Sequence, residues 1–424
     1  MLDVRGKRVA LIGYGVSNKA LCDYLIKEGV TPVIRCAQPV DVPDCAVGVF
    51  GNDYLDTKEE IVFRSPSVRP DRIVGDYVTT EADYALGLCN GFKIGISGSD
   101  GKTTTTTLVH QMLCQGGKTA FLGGNIGFPL IKYVPLARQG DYLVAELSSF
   151  QLMDLTATLD IGAVTNISEN HLDWHTDMDE YILAKSRLLE NSRLAVLNYD
   201  DPAVRKLPAE HAVYFSLQDL SRLVGKLDVF HIVGGEICFN DVPLFPISHI
   251  CLKGEFNLQN VLCAVACTYG IVGREACHYV ARHFCGVSGR MEGVGTVNGV
   301  KFVCSAIDST PTRTSKTLSA FDKERTVCIL GGYDKNLSYD LLKDAVRDLK
   351  GVVLCGENSE KIEKSIDRHA TRVNTLDEAV AVAYKLASPG DVVILSPASA
   401  SFDMFKNYRE KARCFKDAVG RLLR

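Results

Sequence analysis

Phe92-Lys93-Ile94-Gly95-Ile96-Ser97-Gly98-Ser99-Asp100-Gly101-Lys102-Thr103-Thr104 is the stretch on which the fold turns. Phe92 to Ile96 reads as a buried strand, and Thr103 to about Gln115 reads as the helix that follows it. Between them, Gly98 and Gly101 let backbone N–H groups close around phosphate oxygens at the positive end of that helix. Lys102 can bridge terminal phosphates, and the Thr103 hydroxyl can ligate Mg2+. The spacing G-x-x-x-x-G-K-[ST] needs glycine at position 96, where Ile96 stands, so the loop takes the shorter form G-x-x-G-K-T. The competing reading is a helix start capped by a hydroxyl residue. The position directly after a buried strand favours phosphate.

The same alternation of short β-rich runs with amphipathic stretches extends in both directions, the pattern of parallel α/β units. Three such series begin afresh. The first opens with a strand from Arg8 to Ile12, turns at Gly13-Tyr14-Gly15, enters a helix over Asn18 to Glu28 and runs to about Gly91. The second continues from Phe92 through strands at Tyr142–Ala145, Gly162–Thr165 and Leu194–Leu197. Its β-rich region from Val213 to Cys251 is expected to add a small sheet. The third, after Arg290, has strands at Val327–Leu330, Val352–Cys355 and Val392–Leu395, with helices near Ser338–Lys350, Asp377–Ala387 and Asp403–Leu423. The expected architecture is α/β in three domains, 1–91, 92–288 and 289–424, a division that suits 424 residues.

Lys and Arg total 47 against 51 Asp and Glu, so no basic excess exists to displace counterions from a polyanion, and nucleic acid is not an expected partner. The apolar run Val9 to Ile12 is too short for a secretion signal, and no uninterrupted apolar stretch of spanning length is legible. No membrane partner and a cytoplasmic location are therefore expected. Fifteen cysteines without a Cys-x-x-Cys pair read as reduced thiols rather than a disulfide framework. Cys263 and Cys267, one helical turn apart in an apolar stretch, predict a buried helix face.

Glu146 ends the run Tyr142-Leu143-Val144-Ala145, and a carboxylate at that edge beside a phosphate loop suits a hard Mg2+ ion. His171-Leu172-Asp173-Trp174-His175 follows another strand and can supply further ligands, or serve only as a capped polar loop. Gly13-x-Gly15-x-x-Asn18 lacks the third glycine of a dinucleotide fingerprint, and the second strand ends without an acid. A diphosphate resting on that helix start is the reading kept for Gly15, Val16 and Ser17.

With these residues stand Gly123-Gly124-Asn125-Ile126-Gly127, Glu146-Leu147-Ser148-Ser149-Phe150-Gln151-Leu152, Glu169-Asn170-His171-Leu172-Asp173 and Ala184-Lys185-Ser186-Arg187. Leu330-Gly331-Gly332-Tyr333-Asp334-Lys335, Leu395-Ser396-Pro397-Ala398-Ser399-Ala400-Ser401 and Phe402-Asp403-Met404-Phe405-Lys406-Asn407-Tyr408 follow. In this combination, over nearly the whole length, the chain resembles the Mur ligase family, which forms amide bonds in peptidoglycan precursors. The nearest likeness is to members that add D-glutamate to UDP-N-acetylmuramoyl-L-alanine. The resemblance implies a Rossmann-like N-terminal domain for the UDP-sugar, a central P-loop-type ATP-binding domain and a Rossmann-like C-terminal domain for the amino acid. It also implies domain closure, a monomer and small-molecule substrates. In the implied reaction ATP converts a carboxylate into an acyl phosphate, which the amine of D-glutamate then attacks.

The resemblance further implies catalytic roles for Lys102, His171 and Lys185, and ATP contacts from Gly98, Ser99, Asp100, Gly101, Lys102, Thr103, Thr104, Asn257 and Arg290. Two Mg2+ ions are implied, one held by Thr103 and Glu146, the other by His171 and a carbamylated Lys185. Asn125 would touch the sugar nucleotide near its reacting end, and Ser65 its UDP side. Ser309, Lys335, Ser401 and Tyr408 match positions that grip D-glutamate. The chain departs from the family at several places. Val303-Cys304-Ser305-Ala306-Ile307-Asp308-Ser309 stands where Asn-Asp-Ser-Lys is common, leaving Asp308 as a nearby substitute for the acid. Phe256 replaces a usual histidine, Ser67 a glycine, and Lys411-Ala412 an Arg-Gly pair. A ligase adding a diamino acid, a folylpolyglutamate synthase, and a nucleotide-binding relative without catalysis remain the alternatives.

Overall fold

The computed structural model describes residues 2–335 and 337–422. The expected end of the last helix at Leu423 lies outside them. Among the described residues there are three sheets of five, nine and six strands, each following one of the series read from the sequence. By contacts the chain forms two compact units, Met1–Ile250 with Phe256–His283, and Cys251–Glu255 with Phe284–Arg424.

In the first unit, Val9–Ile12 is the middle strand of an all-parallel sheet, paired to Val33–Cys36 on one side and Ile61–Arg64 on the other. All four of its residues are buried, as a doubly covered parallel strand requires. The helix Val16–Lys27 starts two residues earlier than expected, on Gly15. Asn18, standing in the third-glycine place, is buried and donates to the carbonyls of Ile12, Gly13 and Phe63. It ties two strand ends together, which a glycine cannot do.

The strand Phe92–Ser97 lies inside the nine-stranded sheet, between Tyr142–Glu146 and Leu159–Val164, all parallel. The region after Val213 builds no separate sheet. Ala212–Phe215 and Asp228–Val233 continue the parallel ladder, and Glu236–Phe239 and Val242–Pro246 close it antiparallel. A free sheet edge left by Ser192–Asn198 would expose unpaired N–H and C=O groups, and these strands cover it. One apolar cluster, including Leu21, Phe63, Tyr84, Ile131, Leu143, Leu152 and Leu188, joins the first two sheets into a single core.

The helix Glu255–His283 is long and apolar enough by composition to cross a membrane, but polar residues interrupt it, its Val261–Thr268 stretch is buried within the fold and Gly273 breaks it (φ 72°, ψ −178°). Cys263 and Cys267 lie on that buried face, as their spacing predicts. No disulfide joins cysteines among the described residues.

In the second unit, Val300–Cys304, Val392–Leu395 and Thr326–Leu330 are adjacent parallel strands. The loops that follow them, at 305–309, 396–401 and 331–335, therefore share one edge of the sheet. Two helices are shorter than expected. Leu342–Val346 replaces Ser338–Lys350 because Ser338 accepts from the Asp340 N–H in a local turn, while Tyr339 is buried with its hydroxyl accepting from Asn358. The last helix begins at Tyr408, where Asn407 Oδ1 accepts from the N–H groups of Arg409 and Glu410.

Candidate functional site

The strand under the phosphate loop runs on to Ser97, so only Gly98 to Gly101 separate it from the helix at Lys102. That explains Ile96: it is a buried strand residue, not part of the loop. Both glycines are required by shape. Gly98 has φ +146° and a Cβ there would sit 1.9 Å from Thr165 Oγ1. Gly101 has φ +81° and its Cβ would fall 2.1 Å from Asn260 Oδ1. The loop is pinned from behind: Thr165 Oγ1 and Asn166 Nδ2 donate to the Asp100 carbonyl, and Asn166 Oδ1 accepts from the Asp100 N–H. Ser99 Oγ bonds the Tyr181 hydroxyl at 2.8 Å and donates to the Ser168 carbonyl. Lys102 Nζ donates to the Gly98 and Ser99 carbonyls, both at 2.9 Å. Thr104 is buried beneath, while Thr103 is half-buried at the helix start.

Sheet register sets Glu146 opposite Ile96, one strand over from the loop. Its Oε1 accepts from Asn125 Nδ2 at 2.8 Å, and its Oε2 is buried with no hydrogen-bond partner. An orphaned buried carboxylate oxygen is costly and is what a hard cation would satisfy. Asn125, read as a substrate contact, is thus also the residue that orients Glu146. On the other side of the loop strand, His171 adopts φ +58°, with its ring edge-on to Phe150 at 5.0 Å. Partial burial, then the Lys102 charge, hold its pKa below the ordinary imidazole value, leaving a neutral ring able to ligate a metal.

His175, expected to offer a further ligand, is instead fully engaged: one ring nitrogen meets Glu180 and the other Ser149. Lys185 is buried, with Nζ donating to the Gly98 carbonyl at 2.9 Å and lying 4.5 Å from the Tyr181 ring centre. Burial first, and the neighbouring Lys102 charge second, push its pKa far down. Lys102, Lys185 and the phosphate loop are therefore brought together, which sequence spacing alone does not require. No group of three or more His, Cys, Asp or Glu able to hold a metal occurs among the described residues. Any cation here needs hydroxyl, lysine-derived or ligand oxygens as well.

Asn257 is buried on the helix Glu255–His283, its Oδ1 accepting from Asn260, which in turn lies against Gly101. In the first sheet, Gly13 (φ +75°) approaches Ser65 so closely that a Cβ would come within 2.9 Å of Ser65 Cβ. Gly15, Val16, Ser17 and Ser65 consequently gather where the helix start meets the ends of two adjacent central strands, the crevice in which open α/β sheets bind ligands.

In the second unit, the Tyr333 N–H donates to the Ala400 carbonyl, joining the loop of Lys335, which is exposed, to that of Ser401, which is buried. Ser309 opens from the neighbouring strand edge, half-buried. Asp308 is buried and accepts from Ser396 Oγ at 2.7 Å. Tyr408 packs beside Gly289, next to Arg290. Sequence reasoning missed the supports of these loops. Asn358 Oδ1 accepts from the Gly332 N–H, and the buried Lys411 Nζ donates to the Gly331 carbonyl. It also missed Asn166, Tyr181 and Asn260, for which a polar residue just beyond a strand, or on a helix face otherwise apolar, is the available signal.

A family model described as the Mur ligase middle domain matches residues 96–268, and one described as the Mur ligase glutamate ligase domain matches 289–399. The chain is 38% identical to a UDP-N-acetylmuramoylalanine--D-glutamate ligase of Acetivibrio thermocellus, over 98% of this chain and 97% of that one. The chain belongs to the Mur ligase family. A second relative with the same description, from Clostridium perfringens, is 37% identical over 99% of this chain and 98% of its own. Solved Mur ligases share the fold at low identity. The UDP-N-acetylmuramate-alanine ligase MurC of Thermotoga maritima superposes with a TM-score of 0.61 at 16% identity, covering 98% of this chain and 99% of that one. A UDP-N-acetylmuramoyl-L-alanyl-D-glutamate--2,6-diaminopimelate ligase gives 0.59 at 18%, covering 99% and 94%.

Proposed function

We propose that this Mur ligase joins D-glutamate to UDP-N-acetylmuramoyl-L-alanine at the cost of ATP, in cytoplasmic peptidoglycan precursor synthesis that serves cell shape and division. The observation that carries the chemistry is the convergence of Lys102 and Lys185 on the Gly98 carbonyl, beside the strand that ends in the orphaned Glu146 carboxylate. The description borne by relatives 37–38% identical over nearly the whole chain supports the choice of D-glutamate.

The residues divide the work by chemistry. The Gly98–Thr103 backbone and Thr104 cradle the ATP phosphates, Lys102 leaves its loop carbonyls to meet the terminal phosphates, and Arg290 adds a second cation there. Asn257 reads adenine. Gly15, Val16, Ser17 and Ser65 hold the UDP diphosphate, and Asn125 meets the sugar nucleotide near the carboxylate that is phosphorylated. Lys335, Ser401, Ser309 and Tyr408 take the carboxylates of D-glutamate, a cation and hydroxyls for two anions. Thr103 with Glu146, and His171 with Lys185, would hold Mg2+ at two sites, where it would supply positive charge to stabilise the phosphoryl oxygens. The lowered pKa of Lys185 favours the neutral amine, whose nitrogen can add to CO2 with release of a proton, giving a carbamate anion whose oxygens would face the metal site. The three stretches 1–91, 92–288 and 289–424 correspond to the sugar-nucleotide, ATP and amino-acid domains, and the working state is a monomer.

Phosphate release measured with ATP, UDP-N-acetylmuramoyl-L-alanine and a panel of amino acids tests the proposal. D-Glutamate alone should drive release. Activity with a diamino acid and none with D-glutamate would overturn the substrate choice, and ATP hydrolysis indifferent to the sugar nucleotide would overturn the ligase reading.

A further inference from the structure

The turn that carries His171 is closed by its own backbone: the N–H groups of Trp174 and His175 both donate to the His171 carbonyl, at 3.0 and 2.9 Å. The turn ends in His175, whose ring is buried. Its Nδ1 lies 3.0 Å from Glu180 Oε2 and its Nε2 2.9 Å from Ser149 Oγ. A carboxylate accepts only from a protonated nitrogen, so Nδ1 carries the proton and Nε2 accepts from the Ser149 hydroxyl. Glu180 is itself gripped by Arg69, with Nη1 at 3.0 Å and Nη2 at 2.9 Å, and accepts from the Thr176 N–H. Arg69 comes from the first sheet's half of the unit and lies over the Trp174 ring, whose Nε1 donates to the Ser67 carbonyl.

Phe150 completes the arrangement. Its ring touches His171, Trp174 and His175 at once, with centroids 5.0, 4.4 and 5.7 Å away. Phe150 neighbours Ser149, and both follow Glu146 by a few residues. The left-handed backbone of His171 is an uncommon conformation for a residue other than glycine, held only where its surroundings over-determine it. The imidazole of His171 is supported by this aromatic wall and this turn.

We propose that His175 is a positioning residue for the reaction. Through Ser149 and Phe150 it fixes the segment after Glu146, and through the turn it fixes the ring of His171, while Glu180 and Arg69 fix its own orientation. The inference rests on the reading of His171 and Glu146 as Mg2+ ligands. It also gives a reason for the Arg69–Glu180 pair: residues beside the UDP-sugar crevice help set the geometry of the cation site.

The test uses the full chain with Mn2+ in place of Mg2+ and a non-hydrolysable ATP analogue, bound Mn2+ being counted by electron paramagnetic resonance. Groups that orient metal ligands typically change affinity about ten- to a hundredfold when removed. His175→Ala should weaken Mn2+ binding by about tenfold or more and raise the Mg2+ concentration for half-activation in parallel, with the KM for D-glutamate little changed. His175→Asn keeps a donor toward Glu180 and loses the Ser149 bond; it should fold like the parent and weaken Mn2+ binding about threefold or more. Trp174, the sole tryptophan, reports by its fluorescence whether each variant retains the packed turn. Mn2+ binding by folded His175→Asn equal to that of the parent overturns the inference. His171→Ala separates the two claims: if it binds Mn2+ and turns over as the parent does, the metal reading itself fails.

Discussion

Gly101→Ala places one methyl group where the fold has no room, and its cost can be worked through. Alanine held at φ +81° costs about 1–2 kcal/mol, because its Cβ meets the following carbonyl. That Cβ would also stand 2.1 Å from Asn260 Oδ1, so the buried amide of Asn260 must leave. Asn260 accepts from Thr105 Oγ1 at 3.3 Å and donates to Asn257 Oδ1 at 3.4 Å, bonds worth roughly 1 kcal/mol each. The expected loss is about 3–4 kcal/mol, read by urea unfolding of the first unit through Trp174 fluorescence. Gly117→Ala is the control. It has φ +74° at the far end of the same helix and nothing within 4 Å of the added carbon, so it carries the backbone strain alone. Because displacing Asn260 also removes a hydrogen bond that positions Asn257, Gly101→Ala should raise the KM for ATP at least tenfold, and Gly117→Ala should leave it alone. Equal destabilisation by the two variants, or an unchanged KM for ATP in Gly101→Ala, would refute the reasoning.

Glu146→Gln keeps an acceptor for Asn125 and removes the anionic oxygen, so stability should hold while the Mg2+ needed for half-activation rises at least tenfold in a titration of initial rates. Lys185→Ala should lose most activity and regain part of it when short-chain carboxylic acids are added; absence of any rescue would count against a carbamate. Burial pushes the Glu81 carboxyl up to about 7, although it accepts from the Ile131 N–H. The folded state then binds the extra proton between the ordinary carboxylate value and about 7, so this group's contribution to stability falls as pH rises through that window. Glu81→Gln should therefore match the parent near pH 4 and exceed it above pH 7 by at most about 3 kcal/mol in denaturant titrations.

The alternation of apolar runs with amphipathic stretches, the phosphate loop and the nature of the chemistry were legible in the chain itself, because strand periodicity and glycine placement are local properties. Residue type and order made Lys102, Glu146 and His171 candidates, whereas Lys185 became one only through the family resemblance. Tertiary structure alone decided which side chains are spent on support and which are left for ligands. His171 and His175 are indistinguishable as letters four apart; only packing shows one ring engaged at both nitrogens and the other set on an aromatic wall. Asn18 looks like a failed glycine until the carbonyls of Ile12, Gly13 and Phe63, at two neighbouring strand ends, are seen to meet its amide. The helices expected at Ser338 and Asp403 were shortened by side chains that found partners elsewhere, Tyr339 with Asn358 and Asn407 with the backbone ahead of it. Burial and hydrogen-bond satisfaction depend on residues far apart in the chain, and no local pattern encodes them.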